Sequence, residues 1–392
     1  TGTLANRPFY MQVHFYAPHT PTEPRPDLRT KYDGVSTTPN HTSRNYAGLV
    51  EGLDQNIGRI LDRLDDPNGD GNTADSIAAN TLVIFLSDNG GQSPTDNNPL
   101  RHRKGSFYDG GIRVPMIVRQ PNTVPAGKQT DSLVHAIDFL PTLLERAGIP
   151  LPSGITYDGE SFAAHMLDPV ANPRVRGPLF FHFPGYLDTR ARPVEAVISR
   201  FNGADYKLIY NYDRTYTGSP TGGEDLTEGL LVEPDNWELY NLDKDLSETN
   251  DLLDGAYSNH LLYGAFADTM ASQLRAWLLQ RGGDWDAAKL TVRATGAPVD
   301  YPPGEVPDVT VPLDQAFHIR TTSVDGEGDQ VTLTWNSEAG FRYDFEASNG
   351  LDVWTKIATG ITATNNVTST TVADPGLAGE PGRRFYRVTL TP

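Results

Sequence analysis

No cysteine occurs in the 392 residues. That excludes disulfides and thiolate metal sites, and it leaves redox usage silent on the compartment. Positive charge is also scarce: 32 Lys and Arg stand against 50 Asp and Glu, a formal net charge of −18. So acidic a chain is a poor partner for nucleic acid or an anionic membrane surface, and anion binding, if present, must be local. No apolar run is long enough to span a bilayer, and the start at Thr1 does not read as a secretory signal. The length accommodates about two or three domains with a core of ordinary size.

Chemistry concentrates in the stretch that starts at Leu82. The run Leu82 to Leu86 has the length and β-branched content of a buried parallel strand. It stops at Ser87-Asp88-Asn89-Gly90-Gly91, which sets a carboxylate and an amide at a strand's carboxyl end. Open α/β sheets place their sites at such ends, and hard oxygen donors suit a hard cation. Lys104 follows, flanked by Arg101, Arg103 and Gly105, then Tyr108-Asp109-Gly110-Gly111. Cationic side chains beside a candidate metal ligand suit an oxyanion substrate. For Asp88-Asn89 alone, an ordinary strand-to-turn transition explains the residues as well.

Earlier in the chain, Phe9 to Phe15 alternates like a strand and ends at Ala17-Pro18-His19-Thr20-Pro21, which presents His19; packing suits His14. Tyr46, Leu49, Val50, Leu53, Ile57, Ile60, Leu61 and Leu64 follow a helical period, with Gly58 suggesting close backbone packing. Asp66, Asn68, Asp70, Asn72 and Asp75 imitate the first half of a calcium loop, but Ile77 stands where the bidentate Glu belongs. The same residues also make a polar turn that bonds its own backbone. Residues 130–148 read as a helical segment, with Asp138 as its N-cap.

From about residue 176 the texture changes to short strands: Leu179–Phe183, Val194–Ser199, Tyr206–Tyr212 and Glu238–Leu242, closed by a helix near Tyr263–Leu279. His182 lies in the first of them and is a candidate substrate contact, with burial in an aromatic strand as the alternative; Arg190 and Arg192 follow on a loop. A proline-rich linker covers 296–310. Beyond it, Val331–Trp335, Phe341–Ala347, Val353–Ile357, Thr368–Val372 and Arg384–Leu390 have the spacing of a small β-sandwich, with core packing for Trp335 and Trp354 and a sugar-facing surface as the alternative.

The stretch Ser87–Pro115 resembles the second signature block of the type I, formylglycine-dependent sulfatases of the alkaline-phosphatase superfamily: S-D-N-G-G, then L-R-x-x-K-G-x-x-x-E-G-G-x-R-V-P. Asp109 replaces the usual Glu and shortens its reach by one methylene. Ala17-Pro18-His19-Thr20-Pro21 resembles the family's A-P-H-x-P. Phe181-His182-Phe183-Pro184 resembles W-H-F-P, Lys207-Leu208-Ile209 resembles K-L-I, and Glu238 to Leu252 resembles the turn E-L-Y-N-L-x-x-D-x-x-E-x-x-N-L. The C/S-x-P-x-R motif that yields formylglycine is not in the sequence, nor is a counterpart of the tandem aspartates that family members carry near their start, so the resemblance implies the carboxyl-terminal portion of such an enzyme.

The fold implied is α/β: a partial alkaline-phosphatase-like mixed sheet flanked by helices over 1–175, and a small antiparallel α+β subdomain over 176–295. After the linker comes the β-sandwich over 311–392. The activity implied is hydrolysis of a sulfuric ester, on an aryl sulfate or a sulfated small molecule or polysaccharide, in the periplasm or outside the cell. In it, Asp88 and Asn89 match two ligands of Ca²⁺ or Mg²⁺, Lys104 the lysine bridging sulfate and leaving group, and His19 the sulfate-contacting histidine. The alternatives are a phosphodiesterase or phosphonate hydrolase of the same superfamily, and a non-catalytic glycan-binding protein that keeps the fold.

Overall fold

The computed structural model describes residues 8–38, 41–183, 194–212, 236–253, 257–281, 302, 304, 319–324, 330–337, 342–348, 355–364, 367–374 and 385–390. In chain order the first elements are α1 (Pro26–Tyr32), α2 (Arg44–Asp65), β1 (Val83–Leu86), α3 (Asp109–Ile112), β2 (Met116–Arg119), α4 (Phe139–Arg146) and α5 (Ala163–Leu167). Then follow β3 (Leu179–Phe183), β4 (Val194–Phe201), β5 (Ala204–Asn211), β6 (Trp237–Asn241) and α6 (Tyr257–Arg281). The last are β7 (Ile319–Val324), β8 (Gln330–Asn336), β9 (Arg342–Ser348), β10 (Thr355–Thr362), β11 (Val367–Ala373) and β12 (Phe385–Leu390). The chain divides into two compact units, Thr1–Asn97 with Arg113–Arg174, and Asn98–Ile112 with Val175–Pro392.

In the first unit, Ser43 caps α2 by accepting the Tyr46 amide hydrogen bond at 3.2 Å. The helix packs closely on α1 at Gly48, where a Cβ would stand 2.9 Å from Pro24. Gly58, the expected point of close packing, faces open space. In the apolar stripe of α2, Leu64 is buried, Val50 is exposed and the other residues are half-buried. β1 was expected to be a buried parallel strand; it pairs antiparallel with β2, Val83 opposite Arg119, and is half-buried throughout. The alternating segment Phe9–Phe15 forms no strand, and Phe9, Met11 and His14 are exposed. Alternation makes a strand only where a neighbour completes the ladder, and no described strand pairs with this segment.

Asp138 is fully buried, but it does not cap α4 by its side chain. Its carboxylate accepts the His135 amide at 2.9 Å, the Glu160 amide at 2.9 Å and the Arg174 guanidinium at 3.0 Å. It therefore ties the Asp158–Ser161 turn to the helix start.

The second unit is built on the antiparallel sheet β3-β4-β5-β6. Strand alternation sends successive side chains to opposite faces. Val197, Tyr206, Leu208, Trp237 and Leu239 are buried in one core with Tyr263, Phe266, Ala267, Met270 and Leu274 of α6. Each such large apolar side chain contributes roughly 1.5–3 kcal/mol. The opposite face carries Lys207, Asn211, Glu238 and Tyr240, all buried as well, because the segment 98–112 lies against them.

The carboxyl-terminal strands form two three-stranded antiparallel sheets, β10-β9-β12 and β11-β8-β7. Val331, Leu333 and Trp335 of one and Tyr343, Phe345 and Val388 of the other are buried, with the Trp335 and Tyr343 rings 5.8 Å apart. β7 has no counterpart among the strands expected from sequence, since Arg-Thr-Thr-Ser within it carries no apolar alternation. Trp354, Arg190 and Arg192 lie outside the described residues. Of the proline linker, Pro302 and Gly304 are described. Their carbonyls accept hydrogen bonds from Arg275 at 2.7 Å and Ser272 at 2.6 Å, both on α6.

Candidate functional site

Lys104 sits in a turn of the segment 98–112, next to Gly105, whose φ of +99° a side chain would resist. The residue is half-buried, and among the described residues no group bonds or pairs with its ammonium. The chain on either side is fixed to the sheet. Before Lys104, the Arg101 guanidinium lies 4.0 Å from the Tyr108 ring centroid and donates to the Tyr240 hydroxyl at 3.0 Å and the Glu248 carbonyl at 2.6 Å. After it, the Tyr108 hydroxyl donates to Glu238 at 2.5 Å, and Tyr240 donates to the same oxygen at 2.9 Å. Asn211 donates to the other Glu238 oxygen at 2.9 Å.

Asp109 anchors the far end. Its carboxylate lies 2.5 Å from the Lys207 ammonium, which is fully buried and also donates to Glu248 at 2.8 Å. The Asp109 amide donates to the second Glu248 oxygen at 2.6 Å. The shortened side chain at position 109 thus still reaches its cation. Below it, Gly110 and Gly111 pass so close to the loop that added Cβ atoms would stand 2.1 Å from the His102 carbonyl and 2.2 Å from the Ser106 carbonyl.

Burial dominates the electrostatics of this cluster. It pushes Glu248 above the usual carboxylate range, with the charge of Asp109 adding to the shift and Lys207 opposing it. It also raises the Tyr240 phenol far above its ordinary value, an effect reinforced by Glu238. On Arg101, burial lowers the pKa, but Tyr108, Tyr240 and Glu238 more than offset it, so the guanidinium stays charged.

Asp88 and Asn89 follow β1 directly in the first unit, Asp88 exposed and Asn89 half-buried. Among the described residues neither side chain has a hydrogen-bond or ionic partner. Thr95 and Asn97 close the loop behind them, Asn97 donating to the Gly91 carbonyl at 2.9 Å. His19 also belongs to this unit; it is exposed in a turn, with Nδ1 3.0 Å from the Thr20 carbonyl and its ring edge-on to Tyr16. Lys104 belongs to the second unit, so the four residues picked from sequence are divided between the two.

His182 is held on the sheet's helix side. It shares a face with Phe180, whose ring stacks on Trp277 of α6 at 5.0 Å, whereas Phe181 turns to Phe107 in the Lys104 segment. Alternation therefore directs His182 away from the Lys104 segment. It is not buried in its aromatic strand but exposed, and its Nδ1 lies 2.7 Å from the buried Glu195. Burial raises the Glu195 pKa, while His182 and Tyr212 oppose the shift. A raised folded pKa means stability that is present below the ordinary carboxylate value and lost as pH rises through the folded value. Glu195→Gln should therefore gain stability relative to wild type from pH 4.5 to 7.5, and equal urea midpoints for the two proteins across that range would refute the assignment.

In the Asp66–Asn72 loop the oxygens are occupied by the loop's own donors, as in a polar turn. Asp66 accepts amides from Gly69, Asp70 and Gly71, at 2.7, 3.2 and 2.9 Å. Asp70 accepts from Asn72 at 2.8 Å, and Asn72 from Ala74 at 3.0 Å, at the start of the turn that holds Asp75. Among the described residues no group of three or more His, Cys, Asp or Glu gathers as a metal site.

A mixed α/β chain with an Asp-Asn-Gly-Gly strand end and a Lys-Gly segment clamped on an antiparallel sheet has matches among known families. Residues 2–149 match the Sulfatase family, and residues 102–218 match the carboxyl-terminal family of N-sulphoglucosamine sulphohydrolase. The chain is 43% identical over 282 residues to a sulfatase of Formosa agariphila, covering 70% of this chain and 47% of that protein. It is 31% identical over 185 residues to the N-acetylgalactosamine-6-sulfatase of Canis lupus familiaris, covering 45% and 31% of the two chains. With human arylsulfatase A the identity is 26% over 311 residues, covering 78% and 54%. Over residues 2–149, and at 43% identity over 282 residues, the chain is thus similar to sulfatases. It spans about half or less of the length of these relatives.

Proposed function

We propose that these residues hold the sulfate group of a sulfuric ester, in an enzyme that hydrolyses sulfated carbohydrates or aryl sulfates. The observation that carries this reading is Lys104: a half-buried lysine whose ammonium has no partner among the described residues, on a segment anchored before and after it. A cation so placed is available to an oxyanion. The N-acetylgalactosamine-6-sulfatase among the relatives supports a sulfated sugar as the substrate class.

Asp88 and Asn89 are hard oxygen donors without competing partners among the described residues, which fits Ca²⁺ or Mg²⁺, and they would supply two of the roughly six to eight oxygens such an ion takes. Bound there, the ion would draw charge from a sulfuryl oxygen and lower the pKa of an attacking hydroxyl. The roles proposed for this chain's residues are otherwise electrostatic: Lys104 neutralises charge on the sulfate and the leaving oxygen, and His19 donates to a sulfuryl oxygen. The formylglycine precursor motif is not among residues 1–392, so these residues by themselves bind the ester without splitting the barrier through a covalent step.

Calorimetric titration with inorganic sulfate tests the reading. Lys104→Ala should weaken sulfate binding about tenfold or more, the worth of one charge-assisted hydrogen bond. Unchanged affinity would remove Lys104 from the site. An aryl sulfate should show no turnover with residues 1–392; turnover abolished by Lys104→Ala would place a nucleophile within them.

A further inference from the structure

Glu248 uses every acceptor it has on the segment that carries Lys104 or on that segment's anchor. Its carbonyl receives Arg101 at 2.6 Å, one carboxylate oxygen receives the Asp109 amide at 2.6 Å, and the other receives Lys207 at 2.8 Å. Arg101 and Asp109 bracket Lys104 in sequence, so one residue fastens both ends of the loop. Glu248 does so at φ +49°, a left-handed conformation that costs a side-chain-bearing residue free energy and persists only where surroundings enforce it. The side chain is also fully buried, which raises the cost of its charge. A surface turn needs neither a buried carboxylate nor a strained backbone. Together they set the height and direction of the short loop that carries Lys104.

We propose that Glu248 is a positioning residue for Lys104, acting through Arg101 at one end and through Asp109 and Lys207 at the other. The inference rests on the assignment of Lys104 as the sulfate-binding cation. An anion held by one ammonium loses affinity when the lysine's backbone samples several positions, because each binding event must then order it. Glu248 thereby governs how tightly sulfate binds without touching it.

The test uses the full chain and compares wild type with Glu248→Ala and Glu248→Gln by amide hydrogen exchange and sulfate titration. In Glu248→Ala the amides of 101–109 should exchange about a hundredfold faster while those of β4 to β6 keep their protection. Sulfate should bind about tenfold more weakly. Glu248→Gln, which keeps an acceptor for the Asp109 amide, should recover part of both losses. Unchanged loop exchange, or a loosened loop with unaltered sulfate affinity, would overturn the inference. If Glu248→Ala loses the sheet's protection as well, Arg101→Met decides. That change frees one end of the loop: faster loop exchange and weaker sulfate binding support the inference, and wild-type behaviour overturns it. A wild-type chain that binds no sulfate would defeat the function proposed for Lys104, and loop exchange alone would then decide whether Glu248 fixes the loop.

Discussion

Lys207→Met should cost the second unit about 3–5 kcal/mol at neutral pH, the range seen when one member of a buried ion pair is removed. Lys207 and Glu248 are fully buried, Asp109 nearly so, and the ammonium faces both carboxylates. Methionine fills similar volume, so the loss is electrostatic: two carboxylates would confront each other in a dry site. Glu248 already has a raised pKa in the native protein, from burial first and then Asp109, with Lys207 opposing. Without Lys207 it must rise further. Stability contributed by a group with a raised folded pKa is present below the unfolded value and lost as pH rises through the folded one. The deficit of Lys207→Met should therefore be largest at neutral pH and shrink as pH falls toward the ordinary carboxylate range. Urea denaturation followed by sheet tryptophan fluorescence at pH 7.5 and pH 5 measures it. A deficit under about 1 kcal/mol, or one independent of pH, would show that the pair is solvated. Adding Asp109→Asn and Glu248→Gln to Lys207→Met should restore most of the loss, since burying no charge is cheaper than burying an unpaired one.

This cluster marks the limit of what the sequence makes legible. The Asp88-Asn89 strand end, the Lys104 segment, α2, α6 and most of the later strands follow from local patterns: a run that stops, a helical period, alternation. Lys207 and Asp109 are 98 positions apart, and no local pattern links them. A signal does exist. Lys207 alternates with Tyr206 and Leu208, and Asn211, Glu238 and Tyr240 share its face, which reads as a solvated side. In the structure that face is dry because the segment 98–112 covers it, and a polar face under a loop cannot be told from a polar face under water by sequence. Phe9–Phe15 fails for the converse reason: its alternation is strand-like, but a strand is a property of two segments. Gly58 and Gly48 make the same point, since both interrupt one helix and only contact with Pro24 separates them.

Gly110→Ala should be strongly damaging although it adds a single methyl. The added Cβ would lie 2.1 Å from the His102 carbonyl oxygen and 2.3 Å from that of Arg101, both backbone atoms that no rotamer change can move. The Gly110 amide also donates to the Arg101 carbonyl at 2.9 Å, so the strand of chain that must retreat is the one it is bonded to. Relief requires the loop to lift, and lifting it pulls Arg101 from Tyr240 and the Glu248 carbonyl. Overpacking of this kind costs about 1–3 kcal/mol where side chains yield, and more where backbone must. The change should thus lower the melting temperature of the second unit and weaken sulfate binding together. Gly58→Ala is the control: with open space around it, it should be neutral or stabilising by up to about 1 kcal/mol through helix propensity. Thermal denaturation and sulfate titration of the two variants side by side check the argument. A Gly110→Ala protein with wild-type melting and wild-type affinity would mean that the loop is not seated on the sheet as described.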